Sequence, residues 1–229
     1  MKISSVVITA AFLIMSCKAF ALSNNLAMKQ CRQQMNNNPP VIDITYNYGE
    51  LRYDTTKTSA ELEKIHDKNK PIFGHMHGLT QTSPKLLIET KINGQQLEDK
   101  ACFYPARVKI SLSYTPVLYI MKDLKPGSCK FNLTLRHEQT HLDISHLALK
   151  EFAAQLKEQI PLIIKDIGPI VKNLSDEDDS TQKAAREMNQ SYNKQMEVLF
   201  ELFKKTLEEE NGKIDTAENY RFESSLCSD

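Results

Sequence analysis

The spacing of apolar residues changes character along the chain. Apolar and polar residues alternate from Val41 to Tyr48, and a second strand-like run extends from Phe103 to Ile120. Four apolar residues of the second run share one face: Val108, Ile110, Leu112 and Tyr114. A period of two is typical of half-buried strands. We expect Pro116 to break the second run, because proline cannot donate to a strand ladder.

Two shorter segments precede the second strand run. Residues 22–40 are polar and end in two prolines, so we expect an irregular lead-in. Thr58 and Glu61 have the spacing of a capping box, which predicts a short helix to about His66.

A hairpin is predicted just before the second strand run. Residues 86–92 resemble a strand, and Asn93-Gly94 follows it directly. Asn-Gly between two strands favours a tight two-residue turn, so we expect the chain to reverse there.

After Pro126-Gly127 the period becomes helical. Residues 133–160 lack glycine and proline and predict one long helix ended by Pro161, and residues 181–210 predict a second that Asn211-Gly212 closes. The expected buried stripe of the first is Leu147, Phe152, Leu156 and Ile160. That of the second is Met188, Tyr192, Met196, Leu199, Phe203 and Leu207.

Strands followed by long helices indicate an α+β fold. We expect one domain over residues 22–229, with a strand-rich part (22–132) and a helical part (133–229). Among 229 residues, Lys plus Arg and Asp plus Glu are equal at 29 each, and no basic cluster stands out. Nucleic acid is therefore not an expected partner.

The N-terminus resembles an export signal. Lys2 precedes the apolar run Val6–Met15, and Ala19-Phe20-Ala21 has the small-x-small pattern of a cleavage site. We expect residues 1–21 to be a cleaved signal peptide and the mature chain to be periplasmic or secreted, with no stable membrane span. Lipidation at Cys17 is less favoured, because Met15 fits that pattern poorly.

Four cysteines would remain after cleavage. An even number in an exported protein favours disulfides. The preferred pairing is Cys102 with Cys129 across one strand-like stretch, which leaves Cys31 with Cys227.

The strongest chemical signal is His137-Glu138-Gln139-Thr140-His141. Side chains at i and i+4 lie on one face of a helix, so both imidazoles can bind one ion. In such a motif zinc is the expected metal, and the adjacent Glu138 would take a proton from a zinc-activated water. This predicts a metallopeptidase acting on a peptide or protein substrate.

Several residues could supply a third ligand. On an unbroken helix His146 points some 140–180° away from the other two histidines. A glutamate of the following helix is an alternative, namely Glu187, Glu197 or Glu201. His75 and His77 form another, since they share a face if that segment is a strand.

The run from Leu135 to Ile144 resembles the signature of an uncharacterised bacterial family described as secreted zinc-dependent proteases, with a motif close to HEQGHFDI. The resemblance covers about residues 40–160. It implies a zincin-like fold, His137 and His141 as ligands, Glu138 as the base and Asp143 as a residue that orients a ligand histidine.

Two positions depart from that family's pattern. Thr140 replaces a glycine, and His146 stands where the family tends to have an acidic residue. Because that exchange keeps metal-binding capacity, we rank His146 first among the third ligands. The alternative function is a non-catalytic exported protein that binds zinc structurally or docks an envelope partner.

Overall fold

The computed structural model describes residues 24–66, 75–173 and 180–227. The predicted signal peptide and Cys17 lie outside these ranges. The described residues form both helices and strands, as an α+β fold requires. The helices are α1 (24–37), α2 (Ser59–Ile65), α3 (Cys129–Ile167), α4 (Ser180–Gly212) and α5 (Ala217–Ser225). The strands are β1 (Val41–Asn47), β2 (Arg52–Asp54), β3 (Gly78–Gln81), β4 (Pro84–Leu97), β5 (Lys100–Tyr114), β6 (Val117–Ile120) and β7 (Ile170–Asn173).

The described strands form two sheets. One has the order β1-β5-β4, with β7 antiparallel to the start of β5 so that Cys102 faces Val171. The other has the order β2-β6-β3, parallel between β2 and β6 and antiparallel between β6 and β3. In the described part of the chain, no helix has the length and apolar character needed to cross a membrane.

The described residues divide into two compact units. Unit 1 comprises residues 24–43, 88–109, 160–173 and 180–195, and unit 2 comprises residues 44–66, 75–87, 110–159 and 196–227. Every residue of the candidate site described below belongs to unit 2.

Strand β6 is the centre of the unit 2 core. On one face Val117 and Tyr119 pack with Leu62 of α2, and on the other Leu118 and Ile120 pack with Leu142 of α3. Alternating side chains of one strand therefore join a sheet to two helices. This arrangement fixes the helix that carries the histidine motif against the sheet that contains β3.

Three predicted features are confirmed. Thr58 and Glu61 form the capping box, and the short helix ends at His66. All four residues expected on one face of β5 are buried. Strand β5 stops at Tyr114 and β6 begins at Val117, so Pro116 falls in the break.

The lead-in predicted for residues 22–40 is wrong, because residues 24–37 are helical. Ala27, Cys31 and Met35 recur every four residues and are all buried. In unit 1, Cys31 and Met35 pack with Cys102 and Tyr104 of β5. The helix is stabilised by burial of these three side chains and by the disulfide at Cys31, although the rest of the stretch is polar.

The turn predicted at Asn93-Gly94 is also wrong. Strand β4 continues to Leu97, and Glu98 and Asp99 connect it to β5, with Glu98 in the left-handed region at φ 55°. A β-carbon at Gly94 would lie 3.0 Å from Cε1 of Phe103. The glycine therefore allows close approach of a neighbouring ring and does not turn the chain.

Helix α3 does not end at Pro161 but continues to Ile167. Proline has no backbone N–H, so one hydrogen bond of the helix is missing at Pro161. Because Pro161 is exposed, this gap lies on the solvent side of the helix. The helix ends at Gly168, whose φ of 68° and N–H bond to the Ile164 carbonyl (3.0 Å) form a C-terminal cap.

The predicted helical stripes are largely confirmed. On α3, Leu147 is exposed and Leu149 is buried in its place, whereas the other three predicted residues are buried. On α4, five of the six predicted residues are buried and Leu199 is partly buried. In unit 2, the rings of Phe152 and Phe203 stack at 4.6 Å, which holds the end of α4 beside α3.

All four described cysteines form disulfides, but the preferred pairing is wrong. Cys31 bonds Cys102 within unit 1, and Cys129 bonds Cys227 within unit 2. Cys102 and Cys129 each bond a different cysteine, so no disulfide closes the stretch of chain between them. Two disulfides fit an exported protein.

Leu62→Ala should lower the free energy of unfolding by about 2–5 kcal/mol, because it removes a fully buried side chain from the unit 2 core. The matched control is Leu87→Ala, at a leucine that is 57% exposed, where a change within about 0.5 kcal/mol is expected. Urea unfolding measures both. Equal losses would contradict the assignment of the core.

Candidate metal centre

Helix α3 presents the two motif histidines on one face, as their spacing predicts. His137 is 5% exposed and His141 is 9% exposed. Their Nε2 atoms are 3.2 Å apart, and the rings meet edge to face. Two imidazole lone pairs thus converge on one point inside unit 2.

The third group at this point is Asp215, which lies between α4 and α5. Its Oδ1 atom is 3.2 Å from Nε2 of His137 and 3.2 Å from Nε2 of His141. The three atoms form a triangle of nearly equal sides. Among the described residues these three side chains have the donor spacing of a metal site.

The outer nitrogen of each imidazole faces a side-chain oxygen. Nδ1 of His141 lies 2.7 Å from Oδ1 of Asn211, whose amide nitrogen donates to the Leu207 carbonyl and so fixes the orientation of the amide. Nδ1 of His137 lies 3.2 Å from Oε2 of Glu223. The Asn211 contact assigns Nδ1 of His141 as an N–H donor, and the nearby Glu223 carboxylate favours a proton on Nδ1 of His137. In neutral rings with these tautomers both Nε2 atoms carry lone pairs.

Tyr220 of α5 completes the surroundings of the triangle. Its hydroxyl donates to Oδ1 of Asp215 at 2.8 Å and lies 3.2 Å from Nε2 of His137. Burial raises the pKa of Tyr220, and the Asp215 carboxylate raises it further, so the phenol keeps its proton. Tyr220 thereby holds the carboxylate oxygen towards the histidines.

The triangle fits a metal ion of tetrahedral preference. Bonds of about 2.0–2.1 Å to zinc place donor atoms of a tetrahedron about 3.3 Å apart. The three observed separations are all 3.2 Å. Two neutral imidazoles and a carboxylate with converging lone pairs repel one another unless a cation or protons lie between them.

Local electrostatics favour positive charge at this point. Without a metal, a ring that carries a proton on Nε2 can donate it to Asp215. Burial raises the pKa of Asp215, but these hydrogen bonds from the two histidines outweigh burial and hold that pKa well below its ordinary value. Burial likewise lowers the pKa of His137, yet Asp215 and the nearby glutamates raise it overall. The carboxylate is ionised, and the site attracts a cation.

Glu138 lies in the same cavity as the histidines. It is 5% exposed, and its Oε2 atom has no hydrogen-bond partner. Burial raises the pKa of Glu138, against the lowering effect of His141 and His137. A buried carboxylate oxygen without a hydrogen-bond partner is costly for folding, and such groups are commonly functional.

Strand β3 shapes the space around Glu138. A β-carbon at Gly78 would lie 2.6 Å from Oε1 of Glu138, so only glycine leaves room for the carboxylate. The hydroxyl of Thr80 donates to the backbone carbonyl of Glu138 at 2.9 Å. These contacts fix α3 and its carboxylate against the strand.

A cavity of about 690 Å³ opens onto the site. Its lining includes Gly78, Thr80, His137, Glu138, His141 and Asp215. His75 and His77, an alternative source of the third ligand, also line this cavity but are not part of the donor triangle. The volume is within the range of small-molecule and substrate sites.

His146, ranked first as third ligand from the sequence, is not part of the triangle. Its ring lies against those of Tyr48 and Tyr114, with centroids 4.3 and 5.8 Å away. The helix remains unbroken through this residue, so 100° per residue turns its side chain to another face. Asp215 takes the place that His146 was expected to fill.

The remaining predicted site residues lie elsewhere. Glu187 pairs with Lys172 in unit 1, and Glu201 pairs with Lys204 on the exposed side of α4. Glu197 is also exposed. Asp143, expected to orient a ligand histidine, is exposed, and that role falls to Asn211 and Glu223.

The residues that complete the site carry little recognisable signal in the sequence. Asp215, Tyr220 and Glu223 follow Asn211-Gly212, where the second long helix was expected to end. Thr216 caps α5 by accepting a bond from the Asn219 N–H, and this capping pattern was visible. It could have revealed the helix but not a ligand just before it.

Comparisons with family models, with curated proteins and with solved structures find no match to this chain. The resemblance to secreted zinc-dependent proteases therefore stays an expectation that rests on the motif.

Asp215→Ala should weaken metal binding by more than about 100-fold, because it removes one of the three donor atoms. Loss of a residue that only orients a ligand typically lowers metal affinity by about 10- to 100-fold. Asp143→Ala is the matched control, and the expected change is less than about twofold because this carboxylate is exposed and outside the triangle. Competition with a chromogenic chelator, with zinc as the probe, measures both affinities. Unchanged binding by Asp215→Ala would remove Asp215 from the site.

Proposed function

We propose that unit 2 is a zinc-dependent peptidase of the cell exterior or periplasm. The proposal rests on one observation: three converging donor atoms share one cavity with a buried carboxylate that has an oxygen without a hydrogen-bond partner. His137, His141 and Asp215 would hold the metal, and Glu138 would act as the base.

Zinc suits this donor set better than other common metals. Two imidazole nitrogens with one carboxylate oxygen at tetrahedral spacing match the three-ligand catalytic zinc site. Calcium and magnesium prefer six or more oxygen donors, which this cavity does not bring together among the described residues. When bound, zinc supplies Lewis-acid chemistry that polarises a carbonyl and makes water a nucleophile near neutral pH.

Glu138 is suited to move a proton in this reaction. Its free Oε2 atom can accept a proton from the attacking water and later pass it to the leaving amine. Burial raises the pKa of Glu138, which makes its carboxylate a stronger base than an exposed glutamate. The clearance at Gly78 lets the carboxylate occupy this position.

Three further side chains would keep the donors in place. Asn211 accepts from the outer nitrogen of His141, Glu223 lies at ion-pair distance from that of His137, and Tyr220 donates to Asp215. Partners of this kind set the orientation and basicity of metal-binding histidines. A peptide is the proposed substrate class because a cavity of about 690 Å³ beside the short strand β3 has room for a chain segment.

One observation favours a second candidate, a non-catalytic zinc protein. The Tyr220 hydroxyl lies 3.2 Å from a ligand nitrogen and 2.8 Å from the ligand carboxylate. A phenol so close could close the site instead of leaving it open to water, as in structural zinc sites. Such a protein would bind zinc and be indifferent to the loss of the Glu138 carboxylate.

Glu138→Gln should keep zinc binding and lower peptide hydrolysis by about 10²–10⁴-fold, because the amide cannot accept the proton. Glu208→Gln is the matched control, since Glu208 is an exposed glutamate in the lining of the same cavity. Turnover of a mixture of internally quenched peptides is measured alongside zinc content. Zinc binding without hydrolysis in the unmodified protein would favour the structural role.

Gly78→Ala should impair hydrolysis without removing a metal ligand. The new methyl group would lie 2.6 Å from Oε1 of Glu138 and displace the carboxylate. We expect at least about a tenfold loss of activity, since small misplacement of a catalytic group is costly. Gly212→Ala is the control because its β-carbon meets nothing within 4 Å. Full activity of Gly78→Ala would contradict the role of Glu138.

A further inference from the structure

The metal centre draws on a short segment at the end of the described chain. Residues 213–227, here called the C-terminal segment, supply Asp215, Tyr220 and Glu223. These side chains provide one donor of the triangle, the phenol that orients it and the carboxylate beside the outer nitrogen of His137. Without this segment only the two histidines of α3 remain.

Hydrophobic burial holds this segment weakly. No residue from 212 to 227 is buried, and α5 has no buried side chain. Phe222 of α5 is 61% exposed and Leu226, just after α5, is 48% exposed, so these two large apolar residues contribute little to a core. Segments with few buried apolar contacts open at low cost in free energy.

A disulfide fixes the far end of the segment. Cys227 bonds Cys129, the first residue of α3, eight residues before His137. The near end continues from α4, whose last turn carries Asn211. Both ends of the segment are thus attached to the two helices that contribute to the site.

We propose that Cys129 and Cys227 are positioning residues of the metal centre, whose disulfide holds Asp215, Tyr220 and Glu223 against the α3 histidines. This inference rests on the proposed metal site and adds that its affinity depends on one particular disulfide. Cutting the tether frees the end of the segment, so ordering it again opposes metal binding.

The chain contains its own control. Cys31–Cys102 lies in unit 1 and packs with Met35 and Tyr104, so its loss leaves the donors of unit 2 in place. The two double variants are Cys129→Ser/Cys227→Ser and Cys31→Ser/Cys102→Ser. Both remove one disulfide, and serine leaves no thiol that could bind zinc.

The test compares zinc affinity, urea stability and amide hydrogen exchange in the two double variants and the unmodified protein. We expect Cys129→Ser/Cys227→Ser to bind zinc about 10- to 100-fold more weakly, the range for losing outer partners of a metal site. Exchange in residues 213–227 should quicken in this variant without metal, and zinc should slow it again. Cys31→Ser/Cys102→Ser should bind zinc within about twofold of the unmodified protein, whatever its stability.

Each outcome has a distinct meaning. Equal zinc affinity in the two variants overturns the positioning role, as does unchanged exchange of residues 213–227 in the metal-free Cys129→Ser/Cys227→Ser variant. If that variant does not fold, the single Tyr220→Phe variant gives a second measurement: with both disulfides intact, exchange in the segment should stay slow. Faster exchange there would contradict the tether. Absence of zinc binding by the unmodified protein would instead overturn the proposed function.

Discussion

The structure depends on bringing three electron-pair donors together in one place. His137, His141 and Asp215 aim Nε2, Nε2 and Oδ1 at a common point with separations of 3.2 Å. The outer nitrogens of the two histidines face oxygens of Asn211 and Glu223, and Tyr220 donates to Oδ1 of Asp215, so these contacts favour the observed orientation of the donors. Such an arrangement is unfavourable without positive charge between the donors, and a divalent cation supplies it more fully than protons do.

Contacts of different kinds offset the unfavourable free energy of bringing the three donors together. Strand β6 packs Leu118 and Ile120 against α3, which fixes the two histidines on a well-packed helix. Asp215, in contrast, belongs to the C-terminal segment, in which no residue is buried. If the three donors bind a metal as proposed, two of them lie on a well-packed helix and the third lies on a segment tethered by the Cys129–Cys227 disulfide.

Local signals in the sequence predicted local structure well. The spacing of His137 and His141 placed both rings on one helix face, and Thr58 marked the start of α2. Features that depend on distant partners were missed. Asn93-Gly94 suggested a turn, but the ring of Phe103 approaches Gly94 within a strand. The third donor of the triangle, Asp215, lies 74 residues beyond His141. No periodicity along the chain encodes a contact at that separation.

The most direct test of the account is the location of the metal in a crystal grown with zinc, taken from anomalous scattering at the zinc edge. The account predicts one strong peak in unit 2 within bonding distance of Nε2 of His137, Nε2 of His141 and Oδ1 of Asp215, with Glu138 facing it but not bound. A peak held by His75 and His77 instead, or no peak between the α3 histidines, would contradict it.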